Sequence, residues 1–283
     1  MQTDIVFTTF EKEHIEEAVR LSKAASWPHR TEDWEMVLDL SQGVVGIEDG
    51  KVVATALATS FGPVATMNMI IVDETMRGRG LGRKVMATAM NTVEPVEWRL
   101  VATSDGLPLY EKLGFEAYGE VVQCQGIVAQ SDAVVEISDD MDDGLVWAVE
   151  AEAQDLAELD KDATGMARMP LLEAFLRLGS VLTIKENGTI VAWAALRSFG
   201  RGHVAGPVVA RNREEAKQLL SPLLSLCDGK FLRVDTTKSA DLEDWLAGFG
   251  LARAGGGISM RKGPSQTQTT GHKAFALASQ ALG

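Results

Sequence analysis

Arg77-Gly78-Arg79-Gly80-Leu81-Gly82 combines two guanidinium groups with three glycines, a composition suited to holding a polyanion against the backbone. Glycine lets phosphate oxygens reach main-chain N–H groups with no Cβ in the way, and the first N–H groups of a helix have no partner of their own. The elements that must present them are legible on either side. An apolar strand, Met69-Ile70-Ile71-Val72, leads into the loop, and Leu81, Val85, Met86, Ala89 and Met90 mark one face of the helix that follows. Two nucleotide signatures fail here. The order is G-x-G-x-G, not the dinucleotide G-x-G-x-x-G, and Gly82 is followed by Arg83-Lys84-Val85 where a P-loop needs Lys-Ser/Thr. A tight strand-to-helix turn with a basic rim is the plainer alternative.

A second motif follows the strand Trp98 to Thr103: Leu109-Tyr110-Glu111-Lys112-Leu113-Gly114-Phe115. Together the two resemble the GNAT family of acyl-CoA-dependent N-acyltransferases, whose signature is Q/R-x-x-G-x-G/A at a strand end and L-Y-x-x-x-G-F in a later helix. Arg77, Gly80 and Gly82 fill the first pattern, Tyr110, Gly114 and Phe115 the second, and the match covers roughly residues 45 to 120. The resemblance implies transfer of an acetyl group from acetyl-CoA to a primary amine by direct attack, without a metal. It implies that the backbone along Ile70, Ile71 and Val72 pairs with the pantetheine arm, and that the run Arg77, Gly78, Arg79, Gly80, Leu81, Gly82, Arg83 holds the pyrophosphate. A strand N–H near Ile70 to Val72 would stabilise charge developing on the thioester oxygen, and Tyr110 would protonate the departing thiolate as general acid.

The base is less legible. A protonated alkyl amine has a pKa of roughly 10 and must lose a proton before it attacks. Some relatives carry a glutamate in the long strand where this chain has Asn68, which cannot take that proton and is placed here with the substrate. Glu74 and His29 are the base candidates, with Asp73 and Glu48 nearby in sequence; an exposed loop histidine without a catalytic role is the plain reading of His29. Trp27, in the same Trp27-Pro28-His29-Arg30 segment, either floors the acceptor pocket or anchors its loop. Thr103 and Pro108 depart from the family pattern close to the tyrosine helix. A CoA-binding sensor or assembly module without turnover is the alternative function, and Tyr110 argues against it because a binder has no need of a thiolate acid.

Composition sets limits. The 283 residues suffice for two cores. No run of about 18 apolar residues is available for a membrane span, and the first residues lack a signal-peptide layout, which predicts a cytoplasmic protein. Cys124 and Cys227 are isolated, so neither a disulfide framework nor a metal site is expected. The formal net charge of −13 argues against nucleic acid and leans toward a cationic small-molecule or peptide amine. Monomer and homodimer are both compatible with the sequence.

Laid against itself at an offset of 138, the chain repeats: residues 50–62 and 188–200 are identical at seven of thirteen positions. The predicted organisation is therefore α/β, two tandem GNAT-like domains, each a mixed, largely antiparallel sheet flanked by helices. The boundaries are residues 1–137 for the catalytic domain, 138–144 for an acidic linker, 145–263 for a degenerate copy and 264–283 for a tail with a short helix over 273–282. At the offset, Arg77 to Gly82 becomes Glu215-Ala216-Lys217-Gln218-Leu219-Leu220, so every glycine has gone and the second copy is not expected to hold a pyrophosphate. Strands are expected near 3–8, 43–48, 51–60, 65–73, 97–103, 116–123 and 126–136, with helices over 11–25, 31–41, 80–92 and 106–113. Asp49-Gly50 and Asn187-Gly188 read as matching hairpin turns.

Overall fold

A computed structural model describes residues 4–129, 144–267 and 271–283. The first half runs β1 (Val6–Thr9), α1 (Ile15–Ala24), α2 (Thr31–Asp39), β2 (Ser41–Glu48), β3 (Lys51–Phe61), β4 (Val64–Val72), α3 (Leu81–Met90), β5 (Glu97–Ala102), α4 (Leu107–Lys112) and β6 (Glu116–Ile127). The second repeats the plan as β7 (Gly144–Trp147), α5 (Ala153–Thr164), α6 (Met169–Leu178), β8 (Ser180–Glu186), β9 (Thr189–Phe199), β10 (Gly202–Ala210), α7 (Arg213–Leu226), β11 (Phe231–Thr237), α8 (Glu243–Ala247) and β12 (Ala252–Lys262), followed by β13 (Lys273–Ala276). Both predicted hairpins are present. Asp49 and Gly50 have φ of 50° and 75°, Asn187 and Gly188 have 51° and 77°, the pair of positive values that a two-residue type I′ turn requires.

The described strands form one sheet of thirteen in the order β1-β2-β3-β4-β5-β12-β6-β11-β13-β10-β9-β8-β7. Alternation of side chains sets its two faces. Leu57, Val45, Ile71 and Trp193 pack with α1, α2, α5 and α6, while Ala54, Ala56 and Ala58 leave room on the opposite face for Val85, Met86 and Ala89 of α3. The two halves exchange their last strands. β12 of the second half lies between β5 and β6, and β6 of the first lies against β11 along Val121–Ile127.

Two expectations about elements are corrected. The break expected at residues 124–125, between strands over 116–123 and 126–136, is absent: β6 continues through Gly126 to Ile127, because it is held on one flank by β12 and on the other by β11. Residues 130–136, and with them most of the linker segment 138–144, lie outside the described residues, and Gly144 already begins β7. The tail expected to form a short helix instead contributes strand β13. β10 and β11 are parallel and paired only at His203–Val204 with Leu232–Arg233, beyond which they diverge. The open edges of two strands offer the tail backbone partners that outweigh the helix propensity of its alanines. Val208, Val209 and Ala210 pair with Ala276, Ala274 and Lys273 on one side, and Thr236 pairs with Ala276 on the other.

Candidate active site

β4 and β5 are also parallel, and are paired only at Val64–Thr66 with Glu97–Arg99. From Met67 onward the β4 edge on that flank has no ladder partner among the described residues, which leaves a wedge through the sheet. A β-bulge re-aims the strand at the same place. Thr55 pairs with Ile71 and Leu57 with Asn68, so Met69 and Ile70 together face Ala56 alone. Met69 takes φ +48°, and its carbonyl accepts a bond from Thr55 Oγ1 at 2.7 Å.

The wedge holds a cavity of about 290 Å³. Tyr110 and Ile70 line it, as do Trp27 and His29 from the α1–α2 connection and Asn68 from β4. Five residues singled out in the sequence thus meet in one place. Tyr110 is buried, its ring lying edge-on to Phe115 at 6.3 Å, and burial pushes its phenol up to about 12. His29 is half-buried between Trp27, 5.8 Å away, and Phe199, 5.3 Å away, with Nδ1 sealed and unpartnered. Burial first, and then the nearby Arg233 and Arg197 charges, outweigh Asp33 and bring its pKa down to about 4. The plain reading of His29 as an exposed loop residue is thereby corrected: Phe199 from the second half covers it. Asn68 is buried; its amide nitrogen donates to Thr59 Oγ1 at 2.9 Å and Thr66 Oγ1 at 3.1 Å, and its Oδ1 has no partner.

Glu74 is not brought to this cavity. β4 ends at Val72, and Asp73, accepting from the Thr75 N–H and hydroxyl, caps a single 3₁₀ turn that carries Glu74 into solvent. Asp73 itself meets Arg20 at 3.4 Å, and Glu48 is paired with Arg79 at 3.0 Å. The cavity lining contains no carboxylate among the described residues.

Beyond the wedge, Gly80 is the N-cap of α3 with φ +75°, and Gly78 has φ +79°. Among the described residues, the chain neighbours aside, no atom lies within 4 Å of a Cβ built at either, so the loop has open space on its main chain. Among the described residues the N–H groups of Gly78, Arg79 and Gly80 bond no backbone carbonyl, and those of Leu81, Gly82 and Arg83 are the free donors of a first helical turn. Gly82 serves packing instead, with Leu109 of α4 only 3.2 Å from where its Cβ would stand. Arg77 and Arg83 are exposed, while the side chains of Ile71 and Leu81 are buried in the core and leave only their backbone to a ligand.

The second copy differs at every one of these features. Its bulge carries Gly206-Pro207 opposite Ala195, so a proline stands where Met69 has an N–H. Glu215, in place of Arg77, accepts from the Arg211 and Asn212 side chains. Its wedge is filled by β13.

Two family profiles, each described as Acetyltransferase (GNAT) domain, match residues 39–117 and 156–276. The chain belongs to the GNAT family of N-acetyltransferases. It is 28% identical over 284 residues to the uncharacterized N-acetyltransferase YitH of Bacillus subtilis strain 168, covering 96% of both chains. A candidate acetyltransferase of Pyrococcus horikoshii superposes with a TM-score of 0.81 at 20% identity, over 99% of this chain and 96% of that one. A tandem GNAT protein from the clavulanic acid biosynthesis pathway gives 0.61 at 15% identity, over 93% of this chain and all (100%) of that one. These likenesses in structure concern the fold. The GNAT family takes acetyl-CoA as its acyl donor, and the open wedge, unpaired β4 edge and free loop N–H groups fit such a molecule. Among the described residues no helix is long and apolar enough to cross a membrane.

Sequence reasoning had no access to Phe199, Arg233, Gly255, Gly256 and Gln280, which line the same cavity from the second half. One signal was present. Arg233-x-Asp235 places two opposite charges on one face of an otherwise apolar strand, a pattern that a buried strand tolerates only as a pair.

Proposed function

We propose that the first half of this GNAT protein acetylates a primary amine by direct attack in the β4–β5 wedge, and that the second half is a wall of that site. The contrast between the two wedges carries the reading: one is open beside a glycine loop and Tyr110, the other is occupied by β13. Acetyl-CoA, when bound, supplies the activated acyl carbon. The loop from Arg77 to Arg83 would hold its pyrophosphate through main-chain N–H groups and α3's positive end. The unpaired β4 edge would take the pantetheine amides, and the bulge at Met69–Ile70 would aim an N–H at the thioester oxygen. Tyr110, protonated at neutral pH, would return a proton to the sulfur as the C–S bond breaks.

The cavity explains how an amine can lose its proton without a carboxylate base. An imidazole with a pKa near 4 cannot take a proton directly from an ammonium near 10, a gap worth about 8 kcal/mol. The burial and positive charge that depress His29 act on an entering ammonium in the same direction, favouring the neutral amine and release of its proton to water. His29, neutral, would then orient the amine by hydrogen bonding. The missing carboxylate is also what favours a CoA sensor without turnover. Release of free thiol from acetyl-CoA in the presence of amines separates the two.

Titration calorimetry with CoA tests the assignment of halves. One site per chain is expected, and Gly80→Glu, which puts a negative side chain into the open space over the loop, should abolish detectable binding. A stoichiometry near two, or undiminished binding by the variant, overturns the proposal.

A further inference from the structure

The walls that the second half contributes carry a charge that acetyl transfer itself does not use. Arg233, on β11, is the one charged side chain lining the cavity among the described residues. Its Nε and Nη2 donate to Asp235 Oδ2 at 2.9 and 2.8 Å, and its guanidinium lies 5.4 Å from the centre of the Phe199 ring. Nη1 bonds no acceptor among the described residues, and the other oxygen of Asp235 accepts from Gln280 at 2.9 Å. Behind Phe199 stand Arg197, buried with Nε unpartnered, and Arg30. Asp33 lies 2.9 Å from Arg30 and 3.9 Å from Arg197, and the exposed Glu32 lies 3.9 Å from Arg30. Three guanidinium groups thus face three carboxylates, Asp235, Asp33 and Glu32, none of which lines the cavity, whereas Arg233 does. In a chain of net charge −13, the charge that an occupant of this cavity meets is therefore the Arg233 guanidinium.

At another point of the same cavity the need is opposite. Asn68 presents a buried oxygen that only accepts, with its own NH₂ committed to Thr59 and Thr66. Trp27, His29 and Phe199 offer ring surface between. An occupant that satisfies both walls brings an N–H group to Asn68 and an anion with two oxygens to Arg233. Burying such an anion elsewhere would be costly, whereas here it meets a guanidinium that already faces the cavity.

We propose that the acceptor is an amino acid in the chemical sense, an amine that also carries a carboxylate, with Arg233 as the residue that selects for it. This rests on the reading of the wedge as an acetyl-transfer site and adds to it the class of substrate. It also gives the degenerate half a share in specificity, since Arg233 and Phe199 both come from it.

The test is calorimetry on the full chain loaded with CoA. Glycine, β-alanine, 4-aminobutyrate and 6-aminohexanoate are each compared with the amine that lacks the carboxylate: methylamine, ethylamine, propylamine and pentylamine. A charge-assisted bond in a buried site predicts that at least one acid binds about tenfold or more tighter than its own amine. The series of spacings reports the distance between the two walls. Arg233→Gln combined with Asp235→Asn keeps the local net charge and leaves no carboxylate unpaired; in this variant the preference should collapse while CoA still binds with wild-type affinity, a control that the fold is intact. Acids that bind no tighter than their amines, or a preference that survives in the double variant, overturn the inference. Thiol release with the same compounds is read separately. Acids that bind with no thiol released would refute acetyl transfer and leave this selectivity standing, whereas amines turned over without preference for acids would remove the selectivity alone.

Discussion

Replacing Tyr110 by phenylalanine removes one oxygen and keeps the ring, so it isolates the proton from the packing. The ring's edge contact with Phe115 and its seat against Gly106, where a Cβ would come within 2.7 Å, are both retained. The size of the effect follows from the phenol's surroundings. Burial pushes it to about 12, roughly 3.5 above an ordinary thiol near 8.5, so transfer to a fully hydrated thiolate would be uphill by about 5 kcal/mol. The sulfur would leave inside the same buried wedge, and desolvation raises a thiolate's basicity as it does a phenolate's, which brings the two nearer balance. An acid matched in this partial way contributes at the lower end of the usual range. A fall in kcat of about ten- to a thousandfold, or ~1.4 to ~4 kcal/mol, is expected, with affinity for acetyl-CoA little changed. The assay is steady-state release of free CoA thiol, with acetyl-CoA affinity measured by calorimetry on the same preparations. Equal turnover by Tyr110→Phe would refute the reasoning and leave Tyr110 as a packing residue. A loss confined to KM for acetyl-CoA would do the same.

His29 is neutral in the fold to about pH 4 and titrates near 6.5 when unfolded. Its native pKa is depressed, so the unfolded chain binds the extra proton first: stability is whole above about pH 6.5, falls by at most about 3 kcal/mol as pH drops toward 4, and is flat below. His29→Gln should remove that slope in thermal melts between pH 7.5 and 4, and parallel curves for the two proteins would count against it. Asp160 and Arg168, both fully buried, bond at 2.6 and 2.8 Å, and Arg168 also donates to the carbonyls of Leu282 and Gly283 at 3.0 and 2.5 Å. Asp160→Asn leaves that guanidinium without its charge partner and should cost about 3–5 kcal/mol in urea unfolding; a loss below about 1 kcal/mol would contradict the account. Because Ser279 to Ala281 line the cavity next to this anchor, the same variant is expected to raise KM for the amine before it alters acetyl-CoA affinity.

Local signals in the sequence located what is local in the structure. Glycines with positive φ, the apolar face of α3 and two type I′ turns are each fixed by a few neighbouring residues, and those elements fall where their patterns place them. The wedge at β4 was also within reach, because the loop motif and the tyrosine motif flank it. What sequence reading did not reach depends on pairings between distant segments. Lys273-Ala274-Phe275-Ala276 is compatible with a helix until two diverging strands offer it both of their edges. His29 reads as a surface loop residue until Phe199, 170 residues later in the numbering, closes over it. Arg233 reads as half of a structural ion pair until the exchange of β6 and β12 turns β11 toward the first half's wedge.

That exchange accounts for why a copy without a phosphate loop is retained. Were the halves independent, β5 and β6 would complete the first sheet and the second copy could be lost without consequence for the first. Instead β12 is hydrogen-bonded between β5 and β6, pairing Ile258–Lys262 with Trp98–Ala102, and its Gly255 and Gly256 line the cavity. Gly256 has φ +140°, and a Cβ there would stand 2.0 Å from the Val121 carbonyl, so the close approach of β12 to β6 at the cavity wall is itself built into the second copy's sequence. On the proposed assignment, changes in β12, at Phe199 and Arg233, and in the tail that fills the second wedge therefore bear on the first half's site as well as on the second half's fold. The second wedge is free to lose its glycines and its bulge N–H because β13 already satisfies the strand edges that a pantetheine arm would otherwise pair with. In this arrangement, the absence of a glycine loop from the second half and the presence of its whole fold are two consequences of one sheet.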